Sequence, residues 1–164
     1  MYINKILLLQ SPHATSVFCR DIMSIYRERD ISVVVGPTLG GAILAFEVAR
    51  QLGVMAAFAE PRAGGGRVFR DVAIFNPGDH VLVVDDVLTT GKSIHDTAGA
   101  LPAYVGEVSI CVLIDRSGGQ QTWPGFRAMT TVHHETWNAE TCPLCLAGVA
   151  IDLRYMEPKG KKRR

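Results

Sequence analysis

The sequence predicts an α/β domain built on an open, mostly parallel twisted sheet flanked by helices. Short, continuously apolar, β-branched runs alternate with helical patterns, the arrangement that strands and crossover helices produce. Those apolar runs also end alike, at Gly36-Pro37, Glu60-Pro61-Arg62, Asp85-Asp86 and Asp115-Arg116. In an open parallel sheet the carboxyl ends of the strands border the ligand crevice, so runs that finish in carboxylates, arginines and glycines describe a site. Finally, 164 residues that are 48% hydrophobic can bury a core without disulfides or a structural metal.

The elements follow in order. Thr15 to Arg29 reads as a helix with an apolar stripe of Val17, Ile22, Ile25 and Tyr26. Ile31 to Val35 is a buried strand. Gly41 to Leu52 is a helix apolar on nearly every side, hence buried, and Gly53 stops it. Val54 to Phe58 is a second strand. The triple glycine Gly64 to Gly66 opens a turn before Arg67 to Phe75, read as an extra strand. Asn76-Pro77-Gly78-Asp79 is a turn by composition. Val81 to Val84 is the third core strand, Ser93 to Leu101 a helix with Ile94, Ala98 and Leu101 on one face, and Ser109 to Ile114 the fourth strand. A further strand near Met129 to His133 precedes an irregular C-terminal region. No repeat or linker divides the chain, so residues 1–156 are expected to form one domain and 157–164 a basic disordered tail, since five of the last six residues are lysine or arginine.

Composition narrows the function. A net charge of +1 creates no global field, so nothing in it selects nucleic acid as a partner. No apolar run reaches bilayer length, and no secretory leader pattern opens the chain. Four cysteines in a chain this size make no disulfide scaffold. The cytoplasm is the expected location.

The decisive stretch is Val81-Leu-Val-Val-Asp-Asp-Val-Leu-Thr-Thr-Gly-Lys-Ser93. A buried strand delivers two adjacent carboxylates, and a hydroxyl-rich turn then leads into a helix N-terminus. Backbone N–H groups at that point attract an anion such as phosphate. Thr89, Thr90 and Ser93 can donate hydroxyl hydrogen bonds, and Gly91 admits a close backbone approach. Asp85 and Asp86 beside that pocket can accept from sugar hydroxyls. A phosphate site next to a diol site suits a ribose 5-phosphate. The Gly91-Lys92-Ser93 triplet is not a nucleoside-triphosphate loop, which needs a glycine five residues before the Gly-Lys, where this chain has Asp86. An ordinary strand-turn-helix connection would explain one aspartate as a cap, but not the pair followed by Thr-Thr-Gly-x-Ser.

This stretch closely resembles the signature of type I phosphoribosyltransferases: four apolar residues, two acids, then Thr-Thr-Gly-x-Ser. The resemblance implies that fold, with phosphoribosyl pyrophosphate as donor. It gives the ribose hydroxyls to Asp85 and Asp86, and the 5-phosphate to the loop of Val87, Leu88, Thr89, Thr90, Gly91, Lys92 and Ser93. Val34-Val-Gly-Pro-Thr-Leu-Gly-Gly-Ala-Ile-Leu-Ala45 resembles the family's pyrophosphate-binding turn, implicating Thr38, Gly40 and Gly41. Phe58-Ala-Glu60 with its glycine turn resembles the catalytic-loop region; Arg62 and Arg67 stand beside that turn, placed to cover the leaving group, with Arg70 nearby.

Among those enzymes the chain is most similar to the short bacterial and archaeal orotate phosphoribosyltransferases. Ile114-Asp-Arg-Ser-Gly-Gly119 matches the element whose arginine contacts the orotate carboxylate, here Arg116, and a planar guanidinium suits that partner. Tyr2-Ile-Asn-Lys5 looks like the element that closes the base-binding segment, which assigns Lys5 to the base and implies a reduced N-terminal hood. The resemblance implies Mg²⁺ as cofactor, carried mainly by the substrate with Asp85 and Asp86 as its nearest carboxylates, and a homodimer. Two other readings stay open on sequence alone: transfer to a purine or another base, and a non-catalytic regulator that senses the donor and binds RNA or DNA through the basic tail.

Cys142-x-x-Cys145 with His133 and His134 upstream resembles half a zinc site without a second ligand pair, and it lacks the strand-helix context of a redox motif. It is expected to be a structural feature of the short enzymes with reduced thiols. Cys19 and Cys111 read as buried and inert, and Trp123 and Trp137 as packing residues.

Overall fold

The computed structural model describes residues 5–121, 123–133, 137–138 and 140–150. The chain divides into two compact units, Asn4–His133 and a second formed by Met1–Ile3 with His134–Arg164. Tyr2-Ile-Asn4 of the N-terminal element, His134 and the basic tail at 157–164 lie outside the described residues.

The larger unit begins with α1 (Lys5–Leu9) and α2 (Pro12–Tyr26). Sequence reading misses the first and starts the second late. The overlooked signal is Ser11-Pro12: the Ser11 hydroxyl accepts from Ala14 N–H at 3.3 Å, and Pro12 occupies the first turn, where its missing N–H costs nothing. The buried stripe of α2 is Thr15, Cys19, Ile22 and Tyr26, whereas Val17 and Ile25 face outward. The expected stripe was therefore half right; the positions that meet the core keep the spacing of one helix face.

Then follow β1 (Val33–Pro37), α3 (Gly40–Leu52), β2 (Met55–Pro61), β3 (Arg67–Phe69), β4 (His80–Leu88), α4 (Lys92–Ala98), β5 (Glu107–Asp115) and β6 (Phe126–Thr131). The strands form one sheet in the order β3-β2-β1-β4-β5-β6, parallel except for the antiparallel β2–β3 hairpin. The predicted fold class is the observed one. β3 is three residues long rather than the nine expected from Arg67 to Phe75, because Asp71 turns the chain by accepting Ala73 N–H at 2.8 Å.

Alternation along the central strands sorts the core. Val34, Leu82, Val84, Cys111 and Leu113 face α2 and α3, while Val33, Val35, Val81, Val83, Ile110 and Val112 face the side of α4. Cys19 and Cys111 are buried as expected, and burial pushes both thiols up to about 12.

Two features of the sheet position the site. Chain order reverses between β1 and β4, and the crevice of such a sheet opens at that switch point. β1 also parts from β4 early: their last pair is Val35 with Val83, while β4 stays paired with β5 as far as Leu88 with Asp115. A notch is left on one side of Asp85 and Asp86. These acids therefore sit inside a nine-residue strand, not after its end as the sequence suggested.

In the smaller unit the described residues form α5 (Pro143–Leu146), with Cys142 as its N-cap.

Candidate active site

Asp85 and Asp86 project to opposite faces of β4. Asp85 borders a cavity of about 190 Å³ that is otherwise lined by Val87, Leu88, Thr89, Thr90, Gly91, Lys92, Ser93 and Ile94. The structure thus brings one of the two acids together with the whole predicted phosphate loop. Burial, followed by repulsion from Asp86, raises the Asp85 carboxyl to about 7. Asp86 is 1% exposed on the other face. Its Oδ1 accepts from Lys5 Nζ at 2.8 Å and from Val87 N–H at 2.6 Å. Its Oδ2 has no hydrogen-bond partner among the described residues.

The glycines of the turn between β1 and α3 are explained by contact. A Cβ on Gly40 would stand 1.7 Å from Asp86 Oδ2, and one on Gly41 2.6 Å from Pro37 Cδ. A Cβ on Gly36 would meet Gly41 O at 2.0 Å, so this third glycine, read from the sequence as the end of the strand, closes the turn. Thr38 donates its N–H to Ala59 O at 3.1 Å, pinning the turn to β2, and the Thr38–Leu39 bond is cis.

Both helices that begin at this end of the sheet lack a side-chain cap. α2 uses Ser11, whereas α3 starts from Leu39 and α4 from Gly91 without one. First-turn N–H groups have no acceptor within their own helix. A helix start without a side-chain cap leaves donors that an anion can satisfy.

In the Thr89–Ser93 loop, Gly91 adopts φ 76°. Its Cα lies against the Trp123 indole, so a Cβ there would be 2.4 Å from Cη2. Trp123 in turn meets Phe126 edge to face at 5.9 Å. Trp123 is thus a packing residue, as expected, but what it packs is the loop. Nothing in its sequence neighbourhood announces that, because the contact joins positions 91 and 123, far apart along the chain. Lys92 turns outward, 74% exposed, and its ammonium pairs with Asp96 at 2.7 Å.

Arg67 is anchored: its guanidinium donates to Ala59 O at 2.8 Å and to Ser93 Oγ at 3.3 Å, tying the β2–β3 hairpin to the loop. Arg62 and Arg67 both line a neighbouring cavity of about 440 Å³ between β3 and α4, together with Phe69, Val72 and His95. Arg70 instead pairs with Glu60 at 2.8 Å on the surface. Gly64, Gly65 and Gly66 all have positive φ and open space around them. Arg116 is half-buried at the tip of β5, where its N–H donates to Leu88 O at 2.8 Å. Asp115, buried beside it, accepts Ser117 N–H at 2.7 Å and shapes that turn. The structure therefore places Arg116 beside β4 and Lys5 on Asp86.

No helix among the described residues is long and apolar enough to cross a membrane. A family model for the phosphoribosyl transferase domain matches residues 17–144. The orotate phosphoribosyltransferase of Caldicellulosiruptor saccharolyticus is 37% identical over 153 residues, which cover 92% of this chain and 79% of that protein. That of Thermus thermophilus is 34% identical over 153 residues, covering 92% and 84%. Among solved structures, orotate phosphoribosyltransferase from Aeropyrum pernix superposes with a TM-score of 0.62 at 26% identity, over 80% of this chain and 78% of that one. Adenine phosphoribosyltransferase from Giardia lamblia, complexed with 9-deazaadenine, gives 0.63 at 21% identity, over 77% and 84%, a likeness of fold alone. The chain belongs to the phosphoribosyltransferase family and, within it, to the orotate phosphoribosyltransferases.

Proposed function

We propose that this chain moves ribose 5-phosphate from phosphoribosyl pyrophosphate to orotate and releases pyrophosphate, a step of pyrimidine nucleotide synthesis, as a cytoplasmic homodimer. One observation carries the reading: Asp85 and the Thr89–Ser93 loop share a cavity at the switch point of the sheet, beside the uncapped start of α4.

Breaking the bond between ribose C1 and the pyrophosphate oxygen leaves the electron pair on pyrophosphate and positive charge on the sugar. A ring nitrogen of the base then attacks C1. Most of the work is charge placement. The loop hydroxyls of Thr89, Thr90 and Ser93, with backbone N–H groups of the turn from Leu88 to Lys92, hold the 5-phosphate, while Val87, whose N–H stays on Asp86, lines the pocket. Asp85 accepts from a ribose hydroxyl; Asp86, already gripped by Lys5, has one oxygen still to satisfy and serves as the second carboxylate. Gly40 and Gly41 offer backbone donors to pyrophosphate, and Thr38, whose N–H is held by Ala59 O, offers its hydroxyl. Arg67, with Arg62 beside it, adds positive charge on the hairpin side, where closure of the glycine turn would exclude water. Arg116 takes the orotate carboxylate, and Lys5 lies on the base side of Asp86.

The donor set fits Mg²⁺ as a substrate-borne ion. Asp85 and Asp86 face opposite ways, and among the described residues no three carboxylate, histidine or cysteine groups gather. Mg²⁺ keeps its waters and binds through phosphates with few protein ligands, so the two acids would hold it through water. When bound, it neutralises charge on the leaving group.

The test is pyrophosphate release by the chain with donor, Mg²⁺ and, separately, orotate, uracil, adenine and hypoxanthine. Release with orotate alone is the expected result. Purine-dependent release, or none with any base, overturns the assignment.

A further inference from the structure

The cavity of about 440 Å³ between β3 and the flank of α4 shares no lining residue with the 190 Å³ cavity of the Thr89–Ser93 loop. One hydrogen bond, from Arg67 to Ser93 Oγ at 3.3 Å, links the two walls. The lining of the larger cavity has two kinds of chemistry. Phe69, Val72 and Ala100 make it apolar on one part, and Phe69, 4% exposed, is fixed by an edge-to-face contact with Phe75 at 5.2 Å. Arg62, Arg67 and His95 bring N–H donors to the rest. Arg62 is exposed, and its guanidinium has no hydrogen bond or ion pair among the described residues. Arg67 gives one N–H to Ala59 O and one to Ser93 Oγ and keeps the others of its five. The one carboxylate in the lining, Asp96, is already held by Lys92 at 2.7 Å, so positive charge is in excess.

These features fit one class of ligand. A bare anion would engage the arginines and leave the apolar wall uncovered, whereas a wholly apolar molecule would desolvate guanidinium groups without pairing them. The volume suits a small organic molecule, since such sites run from about 300 to 1,000 Å³. We propose that this cavity binds a nucleoside monophosphate as an effector, its base against Phe69 and Val72 and its phosphate on Arg62 and Arg67. Planar guanidinium groups match phosphate oxygens, and a flat base covers an aromatic wall.

Binding there is independent of the transfer reaction; its consequence for turnover rests on the transferase reading. In that reading Arg62 and Arg67 bring charge to the leaving group when the glycine turn closes. A phosphate that engages both holds the turn open and competes with Ser93 for Arg67. The bound nucleotide thus slows transfer without occupying the donor cavity.

The experiment titrates the full chain calorimetrically with uridine and adenosine 5′-monophosphates in parallel, with and without saturating phosphoribosyl pyrophosphate and Mg²⁺, and with no base. The donor is present because a nucleotide also offers a 5-phosphate and a diol to the Thr89–Ser93 cavity. One equivalent of nucleotide should still bind beside the donor. Val72→Asp, which adds a negative charge at an exposed position of the lining, and His95→Ala, which removes a donor, should each weaken that binding roughly ten-fold or more. Both variants should keep wild-type melting, donor affinity and turnover without nucleotide. At saturating donor and orotate the nucleotide should lower wild-type kcat, and Val72→Asp should relieve that inhibition. Nucleotide binding that donor abolishes, or that Val72→Asp leaves undiminished, would overturn the site, as would inorganic phosphate binding equally well. Binding beside the donor with undiminished kcat would overturn the effector role. A chain that binds nucleotide in this way but transfers to no base would sink the transferase reading and leave the site standing.

Discussion

Gly91→Ala probes the phosphate loop through one methyl group. The substitution meets two obstacles. At φ 76° an alanine pays for the left-handed region, about 1–2 kcal/mol. Its Cβ would also lie 2.4 Å from Trp123 Cη2 and 3.0 Å from Cζ2, with a rigid ring that Phe126 backs. Overpacking of that kind costs about 1–3 kcal/mol. The sum, roughly 2–5 kcal/mol, reaches the melting temperature at about 2–4 °C per kcal/mol for a chain of this length. A loop that yields locally would divert part of the cost into donor affinity, at about 1.4 kcal/mol per ten-fold. Melting and donor titration should therefore be measured together, on Gly91→Ala, Trp123→Ala and the double variant. Trp123→Ala removes the steric part, so the two changes should couple favourably by about 1–3 kcal/mol. A Gly91→Ala protein with both wild-type melting and wild-type donor affinity would refute the placement of this loop.

Three further outcomes follow from the acidic strand tip. Asp85 has a folded value near 7 against an ordinary 3.8, so the folded state holds its proton more tightly; stability should fall as pH rises from about 4 to about 7 and level off above. Asp85→Asn should flatten that part of the profile and melt higher than wild type at pH 8, while losing turnover; in the wild type, donor affinity should rise through pH 7 as the carboxylate forms. Gly40→Ala drives a methyl into Asp86 Oδ2 and should lower kcat/KM by roughly 10²-fold, as misplaced catalytic groups do, with far-UV spectra unchanged. Lys5→Met strands a buried carboxylate; because the ammonium is 43% exposed, the loss should be about 1–3 kcal/mol in urea unfolding rather than the full cost of breaking a buried pair. Adding Asp86→Asn to Lys5→Met should restore most of it, and no restoration would mean that the pair is not what Lys5 contributes.

What was legible in the sequence is what local chemistry writes. The Val81 to Val84 run and its neighbours announced a buried parallel sheet because strands covered on both faces need apolar residues at every position. That Thr89 to Ser93 form a turn bordering a cavity was legible because hydroxyls and a left-handed glycine sit together there. Other features depend on contacts between distant segments. That Asp85 and Asp86 part to opposite faces follows from β4 running on alongside β5 after β1 has left it, and register across strands is not written in either strand. The grip of Lys5 on Asp86 spans 81 positions, and the seat of Trp123 against Gly91 has no local signature. Arg67 looked like a free cation beside a flexible turn; the structure ties it to Ala59 and Ser93, because the β2–β3 hairpin folds it back over the loop. The Ser11-Pro12 helix start was there to be read, but the apolar stripe drew the boundary instead.

The claim on which the rest depends is that the β4 tip and its loop hold a phosphorylated pentose. Calorimetric titration of the chain with phosphoribosyl pyrophosphate and Mg²⁺, beside the same titration of Asp85→Ala, tests it most directly. Saturable, magnesium-dependent heat at one site per chain, lost in Asp85→Ala while that variant still melts cooperatively, is the predicted result. Undiminished binding by Asp85→Ala, or no heat from the wild-type chain, would contradict it.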